Sequence, residues 1–461
     1  MTRIAVLTPL PPAKSGVAHY ASLVVPALGA TAFDSLDGYR REDFDHVVYQ
    51  LGNNPHHELM YTEAMREPGV VVLHDLVLHH LIVELTLARG DADGYVAALQ
   101  ASHGAAGAAW ARGRAAGLHS EMGNFLLPAS VEVAQRSTSV IVHNHYAKAR
   151  LQSFGVTTPI HVVPHPYVPE SRTFDREALR AALGFSAEDR VLGFFGFLTS
   201  AKRAEVVLET FRNARDPRLK LLIVGEPAPN IDVEVLKGEG IVLTGYVADE
   251  DFAKFYAVAD RFVNLRYPSA GETSGTLIRA FDAGKPVAVS DYAQFAELPD
   301  DCVFKVPFET ERERLLEFFT SELPDPSGAQ RAWLEANATI DKCVAGYREA
   351  LSDTRRETPR EPLATIPLFP HLHVTVTGDG IVVRNDGDTV IRTRTYGVPE
   401  YRLIAQVHRD GAVVDDRWLA LPGDLRPGDT ATIEYVPRAE GTVHLYHALQ
   451  DVPLVEVADV R

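Results

Sequence analysis

The sequence predicts an α/β protein with two Rossmann-like domains that face a cleft, followed by an all-β sandwich. Three observations support this fold class. Short apolar runs alternate with helix-compatible sequence over residues 1–170, and the alternation starts again near residue 189. After residue 370 the pattern changes to alternation with period two. The length, 461 residues, fits two or three domains.

The predicted first domain, residues 1–170, contains apolar runs that indicate buried parallel strands. They are Arg3–Thr8, His46–Leu51, Gly69–Leu73, Ser139–His143 and Ile160–Pro164. Helix-compatible sequence follows each run, as the crossovers of a doubly wound sheet require. The Ala- and Gly-rich stretch Ala97–Arg114 indicates a helical insertion.

The predicted second domain, residues 171–357, repeats this pattern. Its strands are predicted at Arg190–Phe195, Leu219–Val224, Gly240–Thr244, Arg261–Leu265 and Val287–Ser290. Helices are predicted at Ala204–Ala214, Glu250–Val258, Ser274–Ala283 and Ala329–Arg356. Two such sets in one chain suggest twin Rossmann-like domains.

Residues 358–370 are predicted to be a proline-punctuated linker, and residues 371–461 a β-sandwich. Period-two alternation and turn signals such as Asn385–Gly387 mark its strands. The sandwich has three readings: it binds glycan, it assembles subunits, or it only covers a face of the other domains. Exposed aromatics at Tyr396, Tyr401 and Trp418 would favour glycan binding.

Charge and cysteine content restrict the function. The chain has 45 Lys+Arg against 62 Asp+Glu, a net charge of −17, which argues against binding to nucleic acid. The two cysteines, Cys302 and Cys343, form no CxxC pair, so a structural zinc cluster and a disulfide framework are not expected. No signal peptide or long apolar span is recognisable, and we expect a cytoplasmic protein. The sequence does not decide whether the protein makes transient contact with the inner face of the membrane or associates with itself.

Two motifs of the first domain follow predicted strands. Gly16, in the loop after the first strand, lets the backbone approach a bound group, and the next helix offers N–H donors to an anion. The loop has neither the dinucleotide nor the Walker pattern. His74 and Asp75 stand at the carboxyl end of Gly69–Leu73, where ligands of doubly wound sheets bind. His79 and His80 lack zinc-site spacing and are expected to be packed or solvated, and His143 has no assigned role.

Two motifs of the second domain suggest that its ligand is an anionic sugar derivative. Lys202 and Arg203 supply positive charge after the strand Arg190–Phe195. The stretch Pro268–Val287 places a Gly/Ser/Thr loop before a helix, which makes an anion-binding helix start. Glu272 beside that start would repel phosphate and is suited to accept hydrogen bonds from sugar hydroxyls. Alternatively, Glu272 is only an acid at a helix terminus, where the helix dipole favours its charge.

The order and spacing of these motifs over about residues 1–350 resemble glycosyltransferase family 4. The residues that carry the resemblance are Pro11 with Ser15–Gly16, His74–Asp75, Gly196 with Lys202, and Gly271–Gly275 with Gly284–Val287. The resemblance implies a GT-B fold and transfer of a sugar from a nucleotide-diphosphate donor, with retained anomeric configuration and no essential metal or cofactor. It implies a donor-binding second domain and an acceptor-side first domain, with a saccharide, lipid-linked or protein acceptor. Cell-surface polysaccharide or glycoconjugate synthesis is the expected context.

The same resemblance assigns roles to individual residues. His74 would contact the transferred sugar, Lys202 would neutralise the leaving diphosphate, and Glu272 would hold sugar hydroxyls. The remaining donor-binding residues would be Gly16, Arg203, Gly245, Tyr246, Val247, Thr273, Ser274, Gly275, Thr276 and Arg279.

The chain departs from the family pattern at two positions. Phe197 stands where many relatives have a basic residue, so Arg203 would substitute or one charge is absent. Arg279 stands where a glutamate usually holds the ribose, and arginine accepts no hydrogen bonds. Two alternatives therefore stay open: a non-catalytic nucleotide-sugar or glycan-binding assembly protein, and another GT-B enzyme such as a nucleotide-sugar epimerase.

Overall fold

The structure is a computed structural model. It describes residues 2–13, 15–115, 121–228, 231–353, 372–377, 380–386, 394–395, 398–399, 402–410, 412–423, 425–447 and 452–460. Contacts divide the chain into two units. The first comprises Met1–Pro164, Ala270–Thr273 and Asp341–Arg461, and the second comprises His165–Ser269 and Ser274–Ile340.

The first unit is built on a parallel sheet of order β2-β1-β3-β4-β5-β6. Its strands are β1 (Ile4–Leu7), β2 (Thr31–Phe33), β3 (His46–Leu51), β4 (Val70–Leu73), β5 (Ser139–Val142) and β6 (Ile160–Val162). The sequences IAVL and VVVL of β1 and β4 are buried throughout, as expected for strands covered on both faces. The short edge strand β2 was not predicted.

Helices connect these strands. They are α1 (Gly16–Leu28), α2 (Glu58–Arg66), α3 (His79–Leu85), α4 (Ala92–Ala115), α5 (Glu121–Leu126), α6 (Val131–Arg136) and α7 (His145–Ser153). The predicted helical insertion is present in α4, which starts earlier than expected and is interrupted at Gly104, where φ is 64°. Glycine adopts that backbone conformation without steric cost.

The second unit repeats the architecture with the sheet order β12-β11-β10-β7-β8-β9. Its elements, in chain order, are α8 (Arg176–Ala182), β7 (Arg190–Phe195), α9 (Ala204–Asn213), β8 (Leu219–Val224), β9 (Ile241–Leu243), α10 (Asp249–Val258), β10 (Arg261–Asn264), α11 (Gly275–Asp282), β11 (Val287–Ser290), β12 (Phe304–Val306), α12 (Glu311–Thr320) and α13 (Ser327–Asn337). All its strand pairs are parallel. The edge strand β12 was not predicted.

The last helix of the α/β part, α14 (Ile340–Ser352), packs on the first unit. Ser139 Oγ donates to the Ala350 carbonyl oxygen at 2.8 Å, and the Tyr20 and Tyr347 hydroxyls lie 3.0 Å apart. The predicted single helix Ala329–Arg356 is therefore two helices, and α14 belongs to a different unit from the domain 171–357 in which the sequence placed it. The reason is tertiary: Leu334 of α13 packs in the apolar core of the second unit, whereas Cys343 and Tyr347 of α14 contact Tyr20 of α1.

The C-terminal region is antiparallel. Its described strands are β13 (Leu372–Thr377), β14 (Gly380–Asn385), β15 (Arg394–Thr395), β16 (Val398–Pro399), β17 (Arg402–Arg409), β18 (Ala412–Ala420), β19 (Thr430–Glu434), β20 (Gly441–His447) and β21 (Val452–Val460). They pair in the orders β13-β14-β19, β15-β16 and β18-β17-β20-β21. Tyr396, Tyr401 and the Trp418 side chain lie outside the described residues. Two parallel Rossmann-like units and an antiparallel β region confirm the predicted fold class.

Candidate functional site

The second unit brings a glycine and a buried lysine together where β7 ends. Gly196 follows Phe195 with φ +95°, and an ideal Cβ on it would lie 2.6 Å from Lys202 Nζ. The neighbouring Gly225 has φ +143°, and a Cβ on it would lie 2.2 Å from the Gly196 carbonyl oxygen. Only glycine allows the two chain segments to approach this closely. Gly225 was not predicted from the sequence, although a glycine directly after a predicted strand was the available signal.

Lys202 is held in place by the backbone around it. Its side chain is 7% exposed, and Nζ donates to the Phe195 carbonyl oxygen at 2.7 Å. A cation whose position is set by a strand end is suited to stabilise negative charge on a bound group.

The N-terminus of α11 lies beside this lysine. Ser274 is the N-cap, and its Oγ accepts from Leu277 N at 3.3 Å and from Asn264 Nδ2 at 3.1 Å. The Ser274 and Thr276 hydroxyls are 2.9 Å apart. The Thr276 methyl group would lie 3.4 Å from a Cβ on Gly196. Gly196, Lys202, Ser274, Gly275 and Thr276 thus form one group, which we call the phosphate-binding candidate site.

The two arginines that were predicted to help bind the donor are held by other side chains of the unit. Arg203 starts α9 with φ 62° and forms an ion pair with Glu311, with Nε 3.0 Å from Oε1. Glu311 is only 3% exposed, so this pair offsets a carboxylate that is removed from water. The Arg279 guanidinium lies over the Phe252 ring, with Cζ 5.5 Å from the ring centre.

The loop after β9 carries Gly245, Tyr246 and Val247, which were predicted to bind the donor. Gly245 has φ +71° and forms an antiparallel bridge with Gly225. Tyr246 is 53% exposed, and Phe197 in the loop after β7 is 54% exposed. Val247 instead packs against the apolar core of the unit. The exposed aromatic surface of this loop is therefore Tyr246, and the role of all three residues stays a prediction.

In the first unit, His74 lies at the carboxyl end of β4, as predicted. Its backbone N donates to the Leu51 carbonyl oxygen at 2.9 Å. The adjacent Asp75 accepts from Asn53 N at 2.8 Å, so its carboxylate fixes the loop after β3. Asp75 is explained by this structural contact.

The side chains that surround His74 were not predicted from the sequence. His143 Nε2 is 3.2 Å from His74 Nδ1, and Gln50 Oε1 is 3.3 Å from His74 Nε2. The Tyr20 ring packs edge-on against His74, with ring centres 4.6 Å apart. Burial lowers the pKa of His143 to about 4. We call Tyr20, Gln50, His74 and His143 the histidine network.

The segment 270–273 is bound to the first unit by Asn144, the N-cap of α7. Asn144 Nδ2 donates to the Gly271 carbonyl oxygen at 2.9 Å and to Thr273 Oγ1 at 3.3 Å. Gly271 has φ +74°, and a Cβ on it would lie 2.6 Å from Leu76 Cβ. Glu272, half-buried, lies within this segment. The predicted continuous loop therefore divides: Glu272 and Thr273 belong to one unit, and Ser274–Thr276 to the other.

The predicted Gly16 site is a helix start. Ser15 caps α1 by accepting from Val17 N at 3.2 Å. A Cβ on Gly16 would meet nothing within 4 Å, so the local backbone does not require glycine. Its predicted ligand contact stays a prediction.

The adjacent histidines on α3 are packed, as expected. His79 is fully buried between the Leu127 carbonyl oxygen and the Tyr95 hydroxyl, each 2.5 Å away. His80 Nδ1 lies 2.7 Å from Asn53 Nδ2. In the described residues, no three or more His, Cys, Asp or Glu side chains group as metal ligands would. No helix among them has the length and apolar character to cross a membrane.

The part of the chain that contains the phosphate-binding candidate site is also the part that matches a known family. Residues 189–313 match the family described as "Glycosyl transferases group 1". No curated protein sequence matches the chain. The structure of HepE from Anabaena with UDP and glucose is similar, with a TM-score of 0.54 and 14% identity over 76% of this chain and 100% of that one. HepE with UDP-glucose gives a TM-score of 0.53 and 15% identity over the same shares.

The matched segment runs from β7 to α12 and contains the whole phosphate-binding candidate site. The chain has the fold of GT-B proteins. The fold and the family match together support a GT-B glycosyltransferase.

Proposed function

We propose that this protein is a retaining glycosyltransferase of the family 4 type. It transfers a sugar from a nucleoside diphosphate donor to an acceptor hydroxyl in cell-surface polysaccharide or glycoconjugate synthesis. The observation that carries the proposal is the buried Lys202 ammonium, fixed by the Phe195 carbonyl oxygen beside Gly196 and the N-terminus of α11. This arrangement presents positive charge and N–H donors to an anion.

The chemistry needs stabilisation of a leaving group rather than a protein nucleophile. The bond between the anomeric carbon and the diphosphate oxygen breaks, and the acceptor oxygen bonds to that carbon on the same face. A phosphate oxygen takes the acceptor proton, so charge and atoms balance. Lys202, with the Ser274 and Thr276 hydroxyls, binds the diphosphate as its charge increases. No metal or cofactor takes part in this scheme.

For the sugar we propose His74 and Glu272, whose side chains accept or donate hydrogen bonds to hydroxyls. Uridine nucleotides are the first donors to test, because HepE was crystallised with UDP and UDP-glucose. The acceptor is a saccharide, a lipid-linked saccharide or a protein.

The test is a donor panel followed by one variant. The thermal midpoint of the purified chain is measured with uridine, guanosine and adenosine diphosphates and their sugars, with and without EDTA. A ligand at a hundred times its Kd stabilises the native state by about 2.7 kcal/mol. Lys202→Ala is expected to lower kcat by ~10²–10³-fold, as for loss of a group that stabilises developing charge. Lys237→Ala, which removes a 60%-exposed lysine of the same unit, is the control.

Near-normal turnover in Lys202→Ala would contradict the proposal. Nucleotide-sugar binding without release of nucleotide in the presence of acceptors would favour the binding-protein alternative. Interconversion of the donor sugar without an acceptor would favour the epimerase.

A further inference from the structure

His143 makes two hydrogen bonds whose directions are fixed by chemistry. Its Nδ1 is 2.8 Å from the Val163 carbonyl oxygen. A carbonyl oxygen only accepts, so His143 Nδ1 carries a proton. The other ring nitrogen, Nε2, is 3.2 Å from His74 Nδ1.

His143 is neutral at physiological pH. The residue is buried, and burial lowers its pKa to about 4. A neutral imidazole with a proton on Nδ1 has a lone pair on Nε2. His143 Nε2 therefore accepts, and His74 Nδ1 donates to it.

The next link is the side-chain amide of Gln50. In a neutral His74 ring with its proton on Nδ1, Nε2 has a lone pair, and the nearest atom of the Gln50 amide is 3.3 Å away. The amide satisfies that lone pair when its NH₂ group faces the ring. The same end of the amide is 3.1 Å from Thr8 Oγ1, which can accept from the NH₂ group while its own hydroxyl donates to the Pro9 carbonyl oxygen at 3.3 Å. The amide oxygen then faces the Tyr347 hydroxyl, 3.5 Å from the other end of the amide. Heavy-atom positions do not fix which end of an amide is oxygen.

We propose that His143 is a positioning residue that holds His74 in the Nδ1–H tautomer, with the Nε2 lone pair available as a hydrogen-bond acceptor. This deepens the proposed function, on which its catalytic meaning rests. A sugar hydroxyl that reaches His74 Nε2 would donate to it and replace the Gln50 amide. The order of donors and acceptors from the Val163 carbonyl oxygen to His74 Nδ1 is set by the protein before any ligand binds.

The tautomer is measured directly in the wild-type protein. The full chain is labelled with ¹⁵N-histidine, and His74→Gln identifies the His74 signals by their loss. At pH 7.5 without ligand we expect Nδ1 of His74 to be protonated and Nε2 to be unprotonated. A proton on Nε2, with or without one on Nδ1, would overturn the proposal.

Two variants test whether His143 is the cause. His143→Phe keeps an aromatic ring but removes the acceptor, so the His74 proton is expected to move to Nε2, where the Gln50 amide accepts it after turning its oxygen toward the ring. His143→Gln places an amide oxygen near the former Nε2, and we expect it to keep the wild-type tautomer. His103→Gln, which replaces a buried histidine outside the network, is the control. An unchanged tautomer in His143→Phe would reject the proposal.

Turnover gives the functional consequence. We expect His143→Phe to lower kcat by about 10- to 100-fold with a smaller change in KM, the range seen when metal-binding histidines lose an outer partner. His143→Gln should restore most of it. If the tautomer is as expected but no donor or acceptor gives transfer, the positioning role stands and the proposed function fails. If His143→Phe does not fold, the wild-type measurement still decides the tautomer.

Discussion

At the scale of single residues, Lys202 is a buried cation whose position depends on a neighbouring glycine. Its Nζ donates to the Phe195 carbonyl oxygen across the space where a Gly196 side chain would be. A charged group removed from water must keep its hydrogen bonds, or its desolvation becomes costly. The absence of a Cβ at residue 196 is therefore part of how the ammonium is placed.

Gly196→Ala should disturb both the backbone and the lysine. The new Cβ would lie 2.6 Å from Lys202 Nζ, at a residue with φ +95°. We expect a loss of about 1–3 kcal/mol in the free energy of unfolding from the strained backbone. Nucleotide binding should also weaken, because the ammonium must move.

Urea unfolding and nucleotide titration measure these two effects. Gly328→Ala is a matched control in the same unit, since a Cβ there meets nothing within 4 Å. Alanine in that helix should be neutral or stabilising by up to about 1 kcal/mol. Wild-type nucleotide affinity in Gly196→Ala would show that the glycine does not place Lys202.

At the scale of elements, the N-terminus of α11 combines a structural cap with the proposed anion contact. Ser274 Oγ accepts from the helix backbone and from Asn264 on β10, so helix and strand are joined by one hydroxyl. The same helix end has backbone N–H groups without helical partners. A change in the charge of the capping side chain should affect ligand binding but not capping, so the two roles can be tested separately.

Ser274→Ala and Ser274→Asp separate the two roles. Alanine removes the cap, and we expect a loss of about 0.5–2 kcal/mol in the free energy of unfolding. Aspartate caps as well as serine, and the helix dipole favours its charge, so stability should be kept. Its carboxylate would repel a diphosphate, so nucleotide affinity should fall more in Ser274→Asp than in Ser274→Ala. Equal affinity in Ser274→Asp and wild type, by calorimetric titration, would place the diphosphate elsewhere.

The elements also show what the sequence could predict. The strands Arg190–Phe195 and Leu219–Val224 were predicted with their observed ends, because each is mostly apolar over six residues. The edge strands β2 and β12 have only three residues each. Their pairing with a neighbouring strand is tertiary information.

Part of the candidate site could likewise be predicted from the sequence, and part could not. Lys202 and the start of α11 come in the connections that follow β7 and β10, so local sequence was sufficient to find them. The histidine network joins His74 to His143, which is 69 residues further along the chain. Nothing local distinguishes His143 from other histidines, and only the order of strands in the sheet places it beside His74.

At the scale of the whole molecule, several histidines are buried in the neutral form. Burial lowers the pKa of His57 and His143 to about 4, and of His79 and His103 to about 3. Histidine in an unfolded chain titrates near 6.5. The unfolded chain therefore binds protons that the folded chain excludes, over the interval between these values.

The free energy of unfolding should consequently fall as the pH decreases from about 6.5 toward 4, by up to about 1.4 kcal/mol per pH unit for each such histidine. Above pH 7 these histidines are neutral in both states and add no slope. His103→Gln keeps an acceptor for Ala129 N, which bonds to His103 Nε2 at 3.0 Å. That variant should therefore take up about one proton fewer on unfolding near pH 5. Urea unfolding at a series of pH values gives the proton uptake of both proteins, and equal uptake would mean that His103 is protonated in the folded state.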